Sequence, residues 1–221
     1  RRVLSGVGSP LKTTVVYNGV DTELFTPANG SGDGANLTIL SVGRLTAVKA
    51  QDRVLRAMAR LADQFPLLRC EIIGAGEERS NLLALAGELK IADRVELLGV
   101  KSRREVAEAM RRCTVFALPS RAEAMGCVFL EAMATAKPAI ACHGEGIAEI
   151  LRHGENGWLV EHNNLEQMTE ALATLLADAS LRSRLGQEGR KTMVERFTLA
   201  HQAEQLNQVY RECLIGNLRR R

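Results

Sequence analysis

The fold of this chain is decided by residues 37–76, which read LTILSVGRLTAVKAQDRVLRAMARLADQFPLLRCEIIGAG. Two short apolar runs, 37–42 and 69–73, are each followed by a glycine. The segment between them, residues 50–65, repeats its apolar residues with the period of a helix. A strand, a helix and a second strand in this order predict a right-handed crossover between two parallel strands.

The alternation of strand and helix continues beyond residue 76. It ends in a helical last third, 165–218, with breaks near Ser180 and Thr198. Short apolar strands that alternate with helices are typical of a parallel sheet covered on both faces, so we predict an α/β fold with a doubly wound, Rossmann-like sheet. The further strands are expected at 94–98, 115–118, 138–142 and 157–160, and the further helices at 78–89, 102–111 and 128–136.

Four segments follow from the composition along the chain. Residues 1–28 are expected to be a residual N-terminal segment and connector, because the chain opens with neither an initiator Met nor a signal peptide. Residues 29–36 are Gly-rich and polar, which predicts a flexible loop. Residues 37–196 form the Rossmann-like domain, and residues 197–221 form a C-terminal helix and a basic tail.

The composition excludes several classes of protein. The 221 residues are 46% hydrophobic and 25% charged, as in ordinary soluble proteins, and their apolar runs are too short to span a bilayer. The net charge of +3 is smaller than the charge of the five terminal arginines, and only eight residues are aromatic, so we predict no nucleic-acid partner. Five irregularly spaced cysteines indicate reduced thiols and a cytoplasmic protein rather than a disulfide framework or a zinc site.

The carboxyl ends of the predicted strands are the places to look for a ligand site, since parallel sheets bind ligands there. Gly43 ends the first strand, Arg44 follows it, and Lys49 lies before the next helix. A guanidinium and an ammonium group in these positions can converge on one phosphate. Two separate, solvated charges are the alternative interpretation.

The residues after the fourth strand combine two carboxylates with a glycine at a helix start. Glu123 lies in the loop, and Glu131 lies about one turn into the following helix. Gly126 permits a close approach of a ligand, and the amides of residues 126–128 suit a phosphate at the helix N-terminus. A glutamate favoured near a helix start by the helix dipole is the alternative for Glu131.

Other loops and motifs are less specific. The glycine loop 143–149, after the fifth strand, can present amides to a ligand or can be a simple tight turn. The segment 74–79 begins like a dinucleotide fingerprint but has Arg79 in place of the third glycine, so we interpret it as a turn. The sequence contains neither a P-loop motif nor an Asp-x-Asp pair for a divalent cation, so we predict no metal and no cofactor.

Four motifs stand in order along the chain. They are Val15-Val16-Tyr17-Asn18-Gly19-Val20-Asp21, Gly43-Arg44-Leu45 with Lys49, Glu123-x7-Glu131, and Gly154-Glu155-Asn156-Gly157-Trp158-Leu159-Val160. Together they resemble the C-terminal half of a family 4 retaining glycosyltransferase (glycosyl transferase group 1) of GT-B architecture, and the similarity covers residues 13–210. The resemblance implies a hexosyltransferase that moves a sugar from a nucleoside-diphosphate sugar, such as a UDP-sugar, to an acceptor without a metal.

The resemblance also implies a role for each matching residue. Arg44 and Lys49 bind the diphosphate of the donor next to Gly43, and these cations are expected to act in catalysis by stabilising the leaving phosphate. The amides of Gly126, Cys127 and Val128 contact sugar and phosphate.

Three further residues are assigned to the rest of the donor by the resemblance. Glu123 lies by the transferred sugar and is the third expected catalytic residue. Glu131 accepts hydrogen bonds from the ribose hydroxyls. Val100, which follows the third strand, lies by the nucleobase.

Two departures from the family pattern are visible. The loop before Glu149 reads Gly144-Glu145-Gly146-Ile147-Ala148, where many members have a Gly-Gly run with a proline before the glutamate, and this difference leaves the contacts to the donor sugar open. Ala50 follows Lys49 where glycine is common.

The resemblance implies that an N-terminal domain carrying the acceptor site is missing. We therefore expect the isolated chain to bind a nucleotide sugar weakly and to transfer nothing. A nucleotide-sugar epimerase of the same architecture and a non-catalytic nucleotide-binding module are the alternative functions. The expected location is the cytoplasm, with peripheral contact to the inner face of the membrane, through a lipid-linked acceptor, as the alternative.

Overall fold

A computed structural model of the chain describes residues 14–28 and 37–218. The predicted flexible loop 29–36 and the ends of the predicted connector and tail, 1–13 and 219–221, lie outside the described residues. No helix in the described part of the chain is long and apolar enough to cross a membrane.

The strands and helices alternate in the order that the sequence predicts. The strands are β1 Thr38–Val42, β2 Arg69–Ile73, β3 Val95–Gly99, β4 Val115–Ala117, β5 Ala139–Cys142 and β6 Trp158–Val160. The helices are α1 Gln51–Arg60, α2 Arg79–Glu88, α3 Arg103–Arg112, α4 Cys127–Ala134, α5 Leu165–Ala177, α6 Ala179–Arg196 and α7 Leu199–Leu218.

The six strands form one sheet in the order β3-β2-β1-β4-β5-β6, and every neighbouring pair is parallel. The order runs outward from β1 in one direction and from β4 in the other, so the winding reverses where these two strands pair. Ile39 lies opposite Val115, and Leu40 lies opposite Phe116, in that central pair. The predicted α/β, doubly wound fold is confirmed.

Successive residues of the central strands point to opposite faces of the sheet, and each face carries its own core. Leu40, Phe116 and Phe129 share one cluster, whereas Ile39 and Leu172 share the other. The rings of Phe116 and Phe129 pack edge to face, with centroids 5.4 Å apart, and this contact packs α4 against the sheet. Full burial of a phenylalanine side chain contributes about 1.5–3 kcal/mol.

Several helix boundaries differ from the prediction, and nearby residues account for two of these differences. The helix predicted over 50–65 ends at Arg60, and the chain continues in tight turns in which the Phe65 N–H donates to the Leu61 carbonyl at 2.9 Å. Pro66 disfavours helical geometry at Phe65, the residue before it, so the helix does not reach the predicted end at residue 65. The break predicted near Ser180 lies at Asp178, whose side chain accepts the N–H of Leu181 at 2.8 Å and caps α6.

Residues 14–28 pack against the domain formed by the sheet. The Val20 N–H donates to the Phe197 carbonyl at 2.8 Å. The Arg190 guanidinium in α6 donates to the carbonyls of Thr22, Phe25 and Ala134 at 2.8–3.0 Å. These bonds hold the segment against α4, α6 and the turn before α7. The division of the chain into the four predicted segments stays a prediction.

A stability test follows from Ser41, which is fully buried in β1 and whose hydroxyl has no hydrogen-bond partner among the described residues. A buried hydroxyl without a partner lowers stability, so we expect Ser41→Ala to raise the free energy of unfolding by about 1 kcal/mol. Urea unfolding at constant pH measures the change.

The matched control is Thr114→Val. Thr114 is also buried, but its hydroxyl accepts the Thr38 N–H at 3.0 Å, so we expect this nearly isosteric change to lower the free energy of unfolding by about 1–2 kcal/mol. A Ser41→Ala protein that is less stable than wild type by the same amount would contradict the prediction.

Candidate functional site

The loops that follow β1 and β4 meet at the point where the sheet order reverses. The Arg121 N–H, in the loop after β4, donates to the Val48 carbonyl, in the loop after β1, at 2.7 Å. Ligands of doubly wound sheets bind in the crevice at this reversal, outside the carboxyl ends of the strands. The candidate site is therefore built on these two loops and on their neighbours.

The loop after β2 packs directly on the loop after β1. A Cβ atom added to Gly74 would lie 1.9 Å from the Gly43 carbonyl oxygen, and one added to Gly76 would lie 2.2 Å from the Leu45 carbonyl oxygen. The Leu45 N–H donates to the Ala75 carbonyl at 2.9 Å. Contact between the two backbones thus explains both glycines without a bound dinucleotide.

Lys49 and Glu123 form an ion pair across the two central loops. Lys49 ends a short 3₁₀ helix, Ala47–Lys49, and Ala50 then adopts left-handed backbone geometry with φ 53° before α1 begins. The two charged side chains are only 22% and 14% exposed, so water screens their attraction weakly. The structure therefore brings together two of the three predicted catalytic residues.

Arg44, the third predicted catalytic residue, is exposed. Its backbone is held in place because the Gln51 side-chain amide donates to its carbonyl oxygen at 3.0 Å. The convergence of Arg44 and Lys49 on one anion stays a prediction, and the Lys49 ammonium contacts the Glu123 carboxylate. Gly43 is half-buried, and a Cβ atom there would meet only side-chain atoms at 3.9 Å.

The start of α4 lies in the same loop as Glu123. Gly126 has a left-handed φ of 65°, and a Cβ atom there would lie 2.6 Å from the Phe129 ring. No side chain caps this helix start among the described residues, so its first amides keep the partial positive charge of a helix N-terminus. Cys127 is exposed and Val128 is half-buried, so the first turn is open at Cys127.

Glu131 lies one turn further along α4 and is half-buried. Burial raises the pKa of its carboxyl to about 7 from an ordinary 4.5, and the positive charge of Arg103 opposes the shift. The carboxyl is thus partly protonated at neutral pH until a hydrogen-bond donor or a cation stabilises its charge.

Val100 follows β3 and is 77% exposed. Gly99 before it has a left-handed φ of 70°. An apolar side chain this exposed at the carboxyl edge of the sheet is available to a flat apolar ligand, such as a nucleobase, or to another part of a protein.

Four side chains without a predicted site role lie at this edge as well. The Tyr17 hydroxyl donates to the Glu149 carboxylate at 2.5 Å, and the Asn18 amide lies 3.4 Å from the Cys127 sulfur. The Glu145 carboxylate accepts the N–H groups of two residues in the loop after β4. Tyr17 and Asn18 belong to a motif of the family resemblance, but no local signal in the sequence indicates which atoms they contact.

The candidate site is distinct from a large concavity of the domain. A concavity of about 800 Å³ lies elsewhere, at the amino ends of the strands, where its lining includes Thr114, Pro138 and Arg190. It shares no residue with the candidate site. In residues 14–28 and 37–218, no three His, Cys, Asp or Glu side chains lie together as a metal site requires.

The sequence matches the family model of the glycosyl transferases group 1 over residues 27–192. A D-inositol 3-phosphate glycosyltransferase of Stackebrandtia nassauensis is 35% identical over an alignment that covers 93% of this chain and 50% of that protein. A lipopolysaccharide core biosynthesis glycosyltransferase of Rhizobium meliloti is 32% identical over 80% of this chain and 48% of that protein. The chain thus spans about half the length of the curated relatives it matches.

Solved structures give the same picture of the fold. A sucrose-phosphate synthase from Thermosynechococcus elongatus superposes with a TM-score of 0.84 at 27% identity, over 93% of this chain and 53% of that one. The C-terminal domain of a glycosyl transferase group 1 protein from Francisella tularensis superposes with a TM-score of 0.73 at 23% identity, over 82% of this chain and all of that one. The chain belongs to the glycosyl transferases group 1 family and has the fold of the C-terminal half of its GT-B architecture.

Proposed function

We propose that this chain is the donor-binding domain of a retaining glycosyltransferase, which moves a hexose from a nucleoside-diphosphate sugar to an acceptor without a metal ion. The observation that carries the proposal is the Lys49–Glu123 ion pair, which lies beside the uncapped start of α4 at the reversal point of the sheet. Membership of the glycosyl transferase family supports this interpretation of the site.

The diphosphate is the part of the donor that this edge suits best. Lys49 has three N–H donors, so the contact with Glu123 leaves donors for a phosphate oxygen. Arg44 is exposed and can approach the same phosphate from solvent. The first amides of α4, at Cys127 and Val128, add the positive end of a helix. These groups stabilise negative charge on the leaving phosphate, as a metal ion does in other enzymes.

Glu131, Glu123 and Val100 take the rest of the donor in this proposal. Glu131 accepts hydrogen bonds from the ribose hydroxyls, which favour its charged form and offset the effect of burial. Glu123 lies by the transferred sugar, and Val100 covers one face of the base.

A uridine nucleotide is the donor class that we propose. The Anabaena protein HepE has been solved in complexes with UDP and with UDP-glucose, and it superposes on this chain with TM-scores of 0.81–0.82 at 22–23% identity. The acceptor and the remaining catalytic contacts belong to a second domain, which the half-length match to the relatives leads us to propose. We therefore expect no sugar transfer by this chain alone.

Binding of UDP tests the site. We expect wild-type chain to bind UDP, and Arg44→Ala and Glu131→Ala each to weaken the affinity by about tenfold or more, because each removes a hydrogen bond that involves a charged group. Isothermal titration calorimetry measures the affinities, and circular dichroism checks that both variants fold.

The matched control is Arg211→Ala, which removes one exposed arginine from α7. Its UDP affinity should equal that of wild type. Wild-type affinity in both Arg44→Ala and Glu131→Ala would remove the site assignment, and efficient sugar transfer by the chain alone would refute the need for a second domain.

Stability against pH tests the environment of Glu131 independently of any ligand. Its pKa is about 7 in the fold and 4.5 when unperturbed, so between these values the folded state holds a proton that the unfolded state has released. The contribution of this group is fully present below pH 4.5 and is lost as the pH rises through about 7.

The comparison is with Glu131→Gln, whose amide does not titrate. We expect the stability of this variant relative to wild type to increase by about 2–3 kcal/mol from pH 4.5 to pH 8. Urea unfolding of both proteins across this range measures the difference, and a difference that does not change with pH would show that Glu131 is not desolvated in the fold.

Independence from metal ions has its own test. Because Lys49, Arg44 and the α4 amides supply the positive charge, we expect the UDP affinity in excess EDTA to match the affinity in millimolar Mg²⁺. Calorimetric titrations under the two conditions decide the point, and loss of UDP binding in EDTA would show that a divalent cation is part of the site.

A further inference from the structure

The loop after β5 holds both backbone polar groups of Glu123. The Glu123 N–H donates to the Glu145 carboxylate, and the Glu123 carbonyl accepts the N–H of Gly146 at 3.0 Å. The side chain of Glu123 contacts Lys49. The loop after β5 thus holds the backbone of Glu123, and Lys49 in the loop after β1 holds its carboxylate.

The Glu145 carboxylate is 11% exposed and is itself held by several partners. Its Oε1 accepts the Ala122 N–H at 3.1 Å and lies 2.9 Å from Nε2 of His162, which follows β6. Its Oε2 accepts the Glu123 N–H. Both oxygens therefore have protein partners, so the carboxylate is engaged with the loop rather than presented to a ligand.

The loop after β4 depends on this carboxylate because of its backbone geometry. Ala122 adopts a left-handed φ of 57°, which costs a residue with a Cβ atom about 1–2 kcal/mol. Neighbouring amides in such a turn point the same way and form a concave site for an anion. Glu145 supplies that anion, and its two charge-assisted hydrogen bonds offset the cost of the strained turn.

The backbones of the two loops are also in direct contact. A Cβ atom on Gly146 would lie 1.5 Å from the Ala124 carbonyl oxygen, so no side chain fits between them. A shift of residues 145–146 therefore moves residues 122–124.

We propose that Glu145 is a positioning residue, which holds the loop after β4 so that the Glu123 carboxylate stays on Lys49 and faces the donor sugar. This proposal rests on the proposed function, because the sugar contact of Glu123 belongs to it.

The proposal predicts different effects on the binding of the sugar and on the binding of the nucleotide. Glu145 contacts the amides of Ala122 and Glu123 and the His162 ring, not Arg44, Glu131 or the first amides of α4. Lys49 keeps its charge for the diphosphate when Glu123 moves, so loss of the Glu145 carboxylate should leave UDP binding nearly intact. The contribution of the sugar to the UDP-glucose affinity should fall, because Glu123 is the residue that loses its position. A residue that merely stabilised the whole edge would weaken both ligands equally.

The experiment compares Glu145→Ala, Glu145→Gln and the control Glu161→Ala, which removes an exposed carboxylate next to His162. Amide hydrogen exchange by NMR reports on the loop directly. We expect the amides of Ala122 and Glu123 to exchange about tenfold faster in Glu145→Ala, and at the wild-type rate in the control. Glu145→Gln keeps acceptor capacity and should lie between the two.

Titration with UDP and UDP-glucose reports on the ligand. In Glu145→Ala we expect the UDP affinity to change by less than about twofold and the UDP-glucose affinity to fall by about tenfold. Wild-type exchange rates at Ala122 and Glu123 in Glu145→Ala would overturn the proposal, and so would an equal fall in both affinities. If wild-type chain binds neither ligand, the proposed function fails, and the exchange rates alone still decide whether Glu145 positions the loop.

Discussion

The ion pair between Lys49 and Glu123 is the interaction on which the candidate site depends. It joins the loops after β1 and β4, the two strands between which the winding of the sheet reverses. Both side chains are mostly buried, so either charge without the other would be costly to keep in the fold. The pair therefore connects the reversal point of the sheet to the residues that are proposed to act on a donor.

The sequence predicted the fold closely because its signals are local. Short apolar runs followed by Gly43, Gly74 and Gly99 predicted three of the strands, and the structure has β1, β2 and β3 there. The errors lie where a single side chain or backbone group decides a boundary. Asp178 ends one helix and caps the next, although the break was expected near Ser180.

The sequence indicated residues for the candidate site but not the contacts between them. Lys49 and Glu123 were each identified from the sequence, yet they are 74 residues apart, and a sequence pattern does not show which charges will pair. Glu145 is likewise separated along the chain from its partners, by 22 and 23 residues from the amides that it binds and by a further loop and strand from His162. The left-handed turn at Ala122, which creates the demand for an anion, has no glycine to mark it.

The close backbone contacts between loops also limit which residues at this edge of the sheet can be replaced. At three glycines, the backbone of a neighbouring loop occupies the space that a side chain would need; these are Gly74, Gly76 and Gly146. Insertions or bulkier residues at these positions would therefore displace the neighbouring loop. Changes in ligand preference are therefore confined to exposed side chains such as Arg44 and Val100. A mutant library that varies those two positions and keeps the three glycines would explore new specificities without rebuilding the scaffold.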